Sequence, residues 1–153
     1  MRKNIAPFIT YKEYKCSHCG KLPPLFYHDD GGRKDVVPAI YKEFFDIFKH
    51  IREEWGRAIN ITSGYRCPQY QRELYDQGIS NAILSPHSTG FALDLDCKTM
   101  DEVDVMAKLI ESICSELRIG VYKYKMTFIH IDSAYKVFPI LSRHWQRGVR
   151  WHA

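Results

Sequence analysis

The residues of this chain best suited to metal chemistry lie in two short stretches, 85–96 and 128–132. In the first, His87 stands in a turn-like segment, and Asp94 belongs to a run that alternates in the manner of a β-strand. The second also alternates, which places His130 and Asp132 on one face and isoleucines on the other. If the two strands pair in one sheet, Asp94 and His130 lie side by side and His87 reaches over from its loop. The sequence thus predicts that two imidazoles and a carboxylate converge on one point.

Two histidines and one carboxylate suit a zinc ion whose fourth position stays open for water, which is typical of a catalytic zinc site. Harder cations prefer ligand sets made entirely of oxygen, so the histidines favour zinc or another borderline metal. The alternative interpretation makes His87 a surface loop residue, His130 a hydrogen-bonded sheet residue and the aspartates turn formers. That alternative explains each residue singly, but it does not explain why all of them occur together.

Four motifs in fixed order resemble the signature of the M15 family of zinc peptidases. They are Ser63-Gly64-Tyr65-Arg66, Ser85-x-His87-x-x-Gly90-x-Ala92-x-Asp94, Gly120-x-Tyr122 and Phe128-x-His130-x-Asp132. The family includes D-alanyl-D-alanine carboxypeptidases, peptidoglycan endopeptidases and phage endolysins, and the resemblance is closest to the branch whose last motif reads His-x-Asp. It spans roughly residues 8–145. The resemblance implies a zinc peptidase that cleaves peptidoglycan stem peptides or cross-links, with His87, Asp94 and His130 as metal ligands.

Arg66 is the candidate cation for the oxyanion that develops in peptide hydrolysis, because it follows a predicted strand end that can deliver its side chain into a cleft. The resemblance implies the same role, and an ion pair at the sheet edge is the alternative. We further expect Ser85, Tyr122 and Trp145 to line the substrate groove, although Tyr122 could equally serve in packing.

The general base is where this sequence departs from better-known M15 enzymes. Several of these carry a glutamate three residues before the last histidine ligand or a histidine two residues before it, whereas this chain has Thr127 and Phe128 there. The carboxylates that remain are Asp132, which the His-x-Asp branch carries at this position, and Asp96. We predict Asp132 as the base with Asp96 as the substitute. Either could instead orient a histidine ligand in its metal-binding tautomer.

The five cysteines are an odd number, which argues against a complete disulfide framework. Cys16 and Cys19 form a Cys-x-x-Cys pair, and the βαβ context of a redox motif is missing around them. One interpretation is reduced cysteines without a catalytic role. The other is a second, structural zinc ion or a cross-link that joins this pair to Cys67, for which further candidate ligands are His18, Cys97 and Cys114.

Length and charge bound the remaining possibilities. A chain of 153 residues predicts a single domain over 1–153, with residues 1–35 as an N-terminal segment that carries the Cys-x-x-Cys pair and a turn-rich loop. The net charge of +4 suits an anionic polymer such as a cell wall, and no basic run or RNA-binding signature favours nucleic acid. The sequence has no signal-type or membrane-spanning apolar stretch. We therefore expect a monomer without membrane insertion, made in a cytoplasm and delivered to the wall by other means.

The order of predicted elements indicates an α+β fold, with helices packed on one side of a small antiparallel sheet and the metal on the other. The resemblance implies a Hedgehog/DD-peptidase-like arrangement. We predict helices over about 39–55, 69–77 and 100–118, and strands over 58–62, 91–96, 119–122 and 127–132, the last two forming a hairpin. Residues 28–30, His-Asp-Asp, are interpreted as a solvated loop rather than a metal site.

Two functions of other classes remain open. The first is a non-catalytic zinc-containing module that binds a wall peptide or a protein partner, which the missing acid before His130 favours. The second is a zinc-ribbon adaptor built on the Cys16/Cys19 pair, which requires two further ligands close in space.

Overall fold

The computed structural model of the chain describes residues 4–27, 37–136 and 145–153. The predicted loop at 28–30 lies outside these residues. The helices and strands, in chain order, are β1 (Asn4–Ala6), β2 (Ile9–Thr10), α1 (Tyr11–Tyr14), α2 (Ala39–Trp55), β3 (Ile61–Ser63), α3 (Pro68–Asp76), β4 (Ala92–Asp96), α4 (Met100–Ile113), β5 (Arg118–Tyr122), β6 (Phe128–Asp132) and β7 (Arg150–His152). Short 3₁₀ turns lie at Pro24–Tyr27, Pro86–Thr89 and Ala134–Lys136. This is the predicted α+β class.

A five-stranded sheet in the order β3-β4-β6-β5-β7 forms the centre of the fold. Strands β4, β5 and β6 pair antiparallel, with Asp94 opposite His130 and Gly120 opposite His130 on the other side. Successive side chains of a strand point to opposite faces. One face of the sheet therefore carries apolar residues, namely Leu93, Leu95, Ile119, Val121, Ile129 and Ile131. The other face carries the polar residues of both motifs.

The apolar face is covered by α2 and α4, which contact each other and bury a shared core. Helix α2 ends at Gly56, whose φ of 78° is a left-handed conformation that favours glycine. Helix α4 begins after Thr99, whose hydroxyl accepts a hydrogen bond from the Glu102 amide. Helices α2 and α4 thus lie on the apolar side of the sheet, whereas Leu74 of α3 lines a cleft on the polar side.

The short N-terminal elements pack beside β3. Helix α1 begins with a capping box in which Thr10 and Glu13 each bind the other's backbone amide. The carbonyl of Tyr14 accepts a hydrogen bond of 2.7 Å from the Tyr65 amide. A Cβ atom on Gly64 would lie 2.7 Å from the Tyr14 Cα, so this close approach requires glycine. The N-terminal segment therefore supports the turn that carries Arg66.

Two predicted features of the fold are corrected. Helix α4 was expected to reach Arg118 but ends at Ile113, because Cys114 takes an extended conformation and Arg118 begins β5 instead. The sheet is also not purely antiparallel, since β7 pairs parallel to β5. No helix in the described part of the chain is long and apolar enough to cross a membrane.

Candidate metal centre and active-site cleft

The structure brings His87, Asp94 and His130 together on the polar face of the sheet. Asp94 and His130 are direct partners on β4 and β6, and His87 lies on the 3₁₀ turn Pro86–Thr89 that leads into β4. One ligand atom from each residue lies within 4.8 Å of the other two. All three residues are buried, with exposed fractions of 3%, 8% and 6%. The predicted convergence of two imidazoles and a carboxylate is therefore present.

His87 is held with one ring nitrogen committed to the backbone. Its turn begins at Ser85, whose hydroxyl accepts from the His87 amide at 3.2 Å, and ends at Gly90 with φ 84°. The ring Nδ1 lies 2.6 Å from the carbonyl oxygen of Gly64. Because a carbonyl oxygen can only accept, Nδ1 carries the proton. The other nitrogen, Nε2, lies 3.2 Å from Asp94 Oδ1.

In His130 the roles of the two ring nitrogens are reversed: Nε2 is held by a hydrogen bond, and Nδ1 faces Asp94. Its Nε2 lies 2.6 Å from Asp132 Oδ2, and its Nδ1 lies 3.0 Å from Asp94 Oδ1. A proton on Nε2 donates to Asp132, which leaves the Nδ1 lone pair for a metal. Two nitrogens and a carboxylate oxygen thus face one another, and each histidine is held through its other nitrogen. This donor set fits a zinc ion.

The charges of the three residues shift one another's pKa values. Burial raises the pKa of Asp94, but the neighbouring His87 and His130 outweigh it and hold that pKa well below its usual range. Burial lowers the pKa of His87. Burial also disfavours the charged form of His130, but the hydrogen bonds and charges of Asp132 and Asp94 raise its pKa to about 9. Asp94 is thus ionised near neutral pH, as a metal ligand must be.

Asp132, the predicted general base, lies behind the His130 ring and is fully buried. One oxygen accepts from His130, while the other accepts from the Ala134 amide at 3.2 Å and lies 3.2 Å from Arg118 Nε. A base must reach the proton that it removes. This geometry favours the alternative role, in which Asp132 orients His130. The substitute base, Asp96, is exposed and does not belong to the cleft lining.

The four other predicted site residues, Arg66, Ser85, Tyr122 and Trp145, all line one cleft of about 460 Å³ that also contains the three ligands. Arg66 donates to Gln71 Oε1 at 3.0 Å and to Ser63 Oγ at 3.3 Å, and its Nη2 lies 3.8 Å from Asp94 Oδ2. The cation thus lies beside the metal ligands rather than at a remote sheet edge. Among the described residues that line the cleft, Asp94 is the only carboxylate.

Trp151 is a cleft residue that the sequence patterns did not identify. Its ring lies 5.3 Å from the His130 ring, and its indole nitrogen donates to the Tyr122 hydroxyl at 3.0 Å. Gly120 lies directly opposite in the neighbouring strand, where a Cβ atom would come within 2.4 Å of the indole. The Gly120-x-Tyr122 motif was the available signal, because a glycine beside a histidine ligand leaves room for a large neighbour.

Comparison with known proteins agrees with this site. A family model described as Peptidase M15 matches residues 25–132, which is more than half of the chain and includes all three ligands. Searches of curated proteins and of solved structures gave no significant match. The match and the geometry of the cleft together establish that this chain belongs to the Peptidase M15 family of zinc peptidases.

Proposed function

We propose that this zinc peptidase cleaves the stem peptides or cross-links of peptidoglycan. The observation that carries the proposal is the convergence of His87, Asp94 and His130 in a cleft with Arg66 beside them, in a chain of the M15 family. The resemblance of its motifs to wall-cleaving members supports the substrate class. The net charge of +4 suits an anionic wall polymer.

A bound zinc ion supplies a Lewis acid for the peptide carbonyl and makes water a stronger nucleophile near neutral pH. The protein positions that chemistry. Asp132 and the Gly64 carbonyl fix the two histidine rings, so that their free nitrogens face Asp94. Arg66 holds its guanidinium within the cleft, where it donates to a carbonyl oxygen as negative charge develops. Tyr122 and Trp145 form apolar walls that hold the peptide.

The test is mass spectrometry of purified peptidoglycan after digestion by the zinc-loaded protein, with and without a chelator. We expect new peptide fragments that disappear with chelator and in the variants His87→Ala and His130→Ala. His50→Ala is the matched control, because this histidine lies exposed on α2, outside the cleft lining, and pairs with Glu54 four residues on. Activity that survives in the ligand variants would overturn the proposal, and the fragment masses distinguish carboxypeptidase from endopeptidase cleavage.

A second function is favoured by one observation: within the described residues of the cleft lining, no carboxylate besides Asp94 is available as a base. The chain would then be a non-catalytic module that uses the zinc-bearing cleft to bind a wall peptide or a protein partner. Folded, zinc-loaded protein that leaves peptidoglycan intact but sediments with it would support this function.

A further inference from the structure

Three cysteines form a second cluster of metal-ligating side chains outside the cleft. Cys16 and Cys19 lie in the turn after α1, and Cys67 is the N-cap residue directly before α3. Their sulfur atoms all lie within 4.8 Å of one another. Cys16 is buried, Cys67 is half-buried and Cys19 is exposed, and all are free thiols. The lining of the cleft includes none of the three.

The backbone around Cys16 forms a tight knuckle. The Gly20 amide donates to the Cys16 carbonyl at 2.8 Å, and the Cys16 amide donates to the Lys21 carbonyl at 2.9 Å. Gly20 has a φ of 72°, a conformation that closes the turn and favours glycine. The knuckle thereby fixes Cys16 and Cys19 close to Cys67, which lies directly before α3.

Backbone amides point at the sulfur atoms. The Cys67 amide donates to Cys16 Sγ at 3.4 Å, and the Tyr70 amide donates to Cys67 Sγ at 3.4 Å. Amide donors of this kind stabilise negative charge on sulfur, and the thiolate is the form that binds metals.

We propose that Cys16, Cys19 and Cys67 bind a structural zinc ion that is separate from the ion in the cleft. Zinc–sulfur distances of about 2.3 Å in a tetrahedral site place sulfurs roughly 3.8 Å apart, which the observed cluster accommodates with little movement. A disulfide would use only two of the three sulfurs. His18 is not one of the clustered ligands, since its ring stacks on Tyr70 and its Nε2 lies 3.1 Å from Glu73.

The position of the cluster indicates what the ion does. Cys67 directly follows Arg66, and Cys16 lies two residues after Tyr14, whose hydroxyl donates to the Gly90 carbonyl at 2.7 Å. The ion therefore joins the N-terminal segment to the turn that carries Arg66. Because such a site is absent from the unfolded chain, metal binding stabilises the fold directly. The role is structural, and it does not depend on whether the cleft is catalytic.

The test is metal counting and cobalt spectroscopy on the full chain prepared under reducing conditions. We expect two zinc ions per wild-type chain and one each in His87→Ala and Cys67→Ser. With cobalt in place of zinc, His87→Ala should keep a sulfur-to-cobalt charge-transfer band that Cys67→Ser lacks. Cys114→Ser is the control, because Cys114 is half-buried but lies outside the cluster, and it should keep both ions and the band.

The His87→Ala protein carries the decisive result, since all its cysteines are native. A folded His87→Ala sample that binds no metal and gives no charge-transfer band would overturn the proposal. Mass spectrometric detection of a Cys16–Cys67 or Cys16–Cys19 disulfide in the reduced preparation would also overturn it. Neither result would touch the proposed peptidase function, which rests on the cleft.

Discussion

The two histidines of the metal centre present different ring nitrogens to Asp94. His87 is fixed through Nδ1 by a backbone carbonyl, and His130 is fixed through Nε2 by Asp132. The carbonyl belongs to Gly64 in the turn before α3, whereas Asp132 belongs to the same strand as its histidine. The orientation of one ligand thus depends on the backbone, and that of the other on a single side chain that substitution can change.

Substitution Asp132→Asn tests the orienting role of this carboxylate. If Asp132 orients His130, the variant should bind zinc about 10- to 100-fold more weakly, because the charged hydrogen bond that fixes the ring is lost. If Asp132 is instead the general base, zinc affinity should stay unchanged while turnover falls. Competition with a chromophoric chelator measures the affinity, and circular dichroism verifies folding, because the substitution removes a buried charge 3.2 Å from Arg118 Nε.

Asp96→Asn is the matched control for this experiment. Asp96 lies on β4 two residues beyond Asp94, but it is exposed and does not line the cleft. The zinc affinity of the Asp96→Asn variant should equal that of the wild type. An equal loss of affinity in both variants would argue against a specific role for Asp132.

At the scale of elements, β7 completes the cleft by placing Trp151 over Gly120 at the edge of the sheet. The indole packs against His130 and binds the Tyr122 hydroxyl. Glycine at position 120 is required by this close approach rather than by its backbone conformation. Trp151 of β7 therefore packs against both Gly120 and the metal ligand His130.

Substitution Gly120→Ala should displace the indole, because the added Cβ would lie 2.4 Å from Trp151. We expect the free energy of unfolding to fall by about 1–3 kcal/mol, as is usual for overpacking in a tight site. Urea denaturation measures this change. The same substitution in a Trp151→Leu background should cost less, because the clash is relieved. An equal cost in both backgrounds would place the strain elsewhere.

Elements that carry a strong local pattern were predictable from the sequence. The strands β4 and β6 alternate strictly, which predicts that Asp94 and His130 lie side by side if the two strands pair, as they do. Helix α2 matches its predicted bounds, because its apolar period is bounded by Pro38 and Gly56.

Elements that depend on distant partners were not predictable in the same way. The spacing of Leu117 continues the helical stripe, but helix α4 ends at Ile113 because Cys114 is extended and β5 begins at Arg118. Strand β7 has only three residues and forms through pairing with β5, which no local pattern reveals. The position of Asp132 behind the imidazole also follows from ring orientation, which the residue order His-x-Asp does not specify.

At the scale of the whole molecule, buried tyrosines connect the N-terminal segment and α2 to the turn that carries His87. Tyr14 donates its hydroxyl to the Gly90 carbonyl, and Tyr41 donates to the Thr89 carbonyl at 2.9 Å. Burial raises the pKa of Tyr14 well above its usual value, and burial also raises that of Tyr65 to about 12. These phenols therefore stay protonated in the folded chain at a pH where the unfolded chain begins to lose their protons.

The stability of the protein should consequently fall at alkaline pH. Stability from a raised tyrosine pKa is complete below pH ~10 and is lost as pH rises from ~10 through the folded-state value, because the unfolded chain then binds fewer protons. Each such tyrosine adds a slope of about −1.4 kcal/mol per pH unit once the unfolded phenol is ionised. Urea denaturation between pH 8 and 11 measures this slope. Tyr14→Phe should make the slope shallower by about 1.4 kcal/mol per pH unit, which is the contribution of one proton. Tyr124→Phe, at a side chain that is 83% exposed, should leave the slope unchanged. An unchanged slope in Tyr14→Phe would mean that other groups govern the alkaline transition. The expected change would show that the hydrogen bond between α1 and the His87 turn makes the stability of the fold depend on pH.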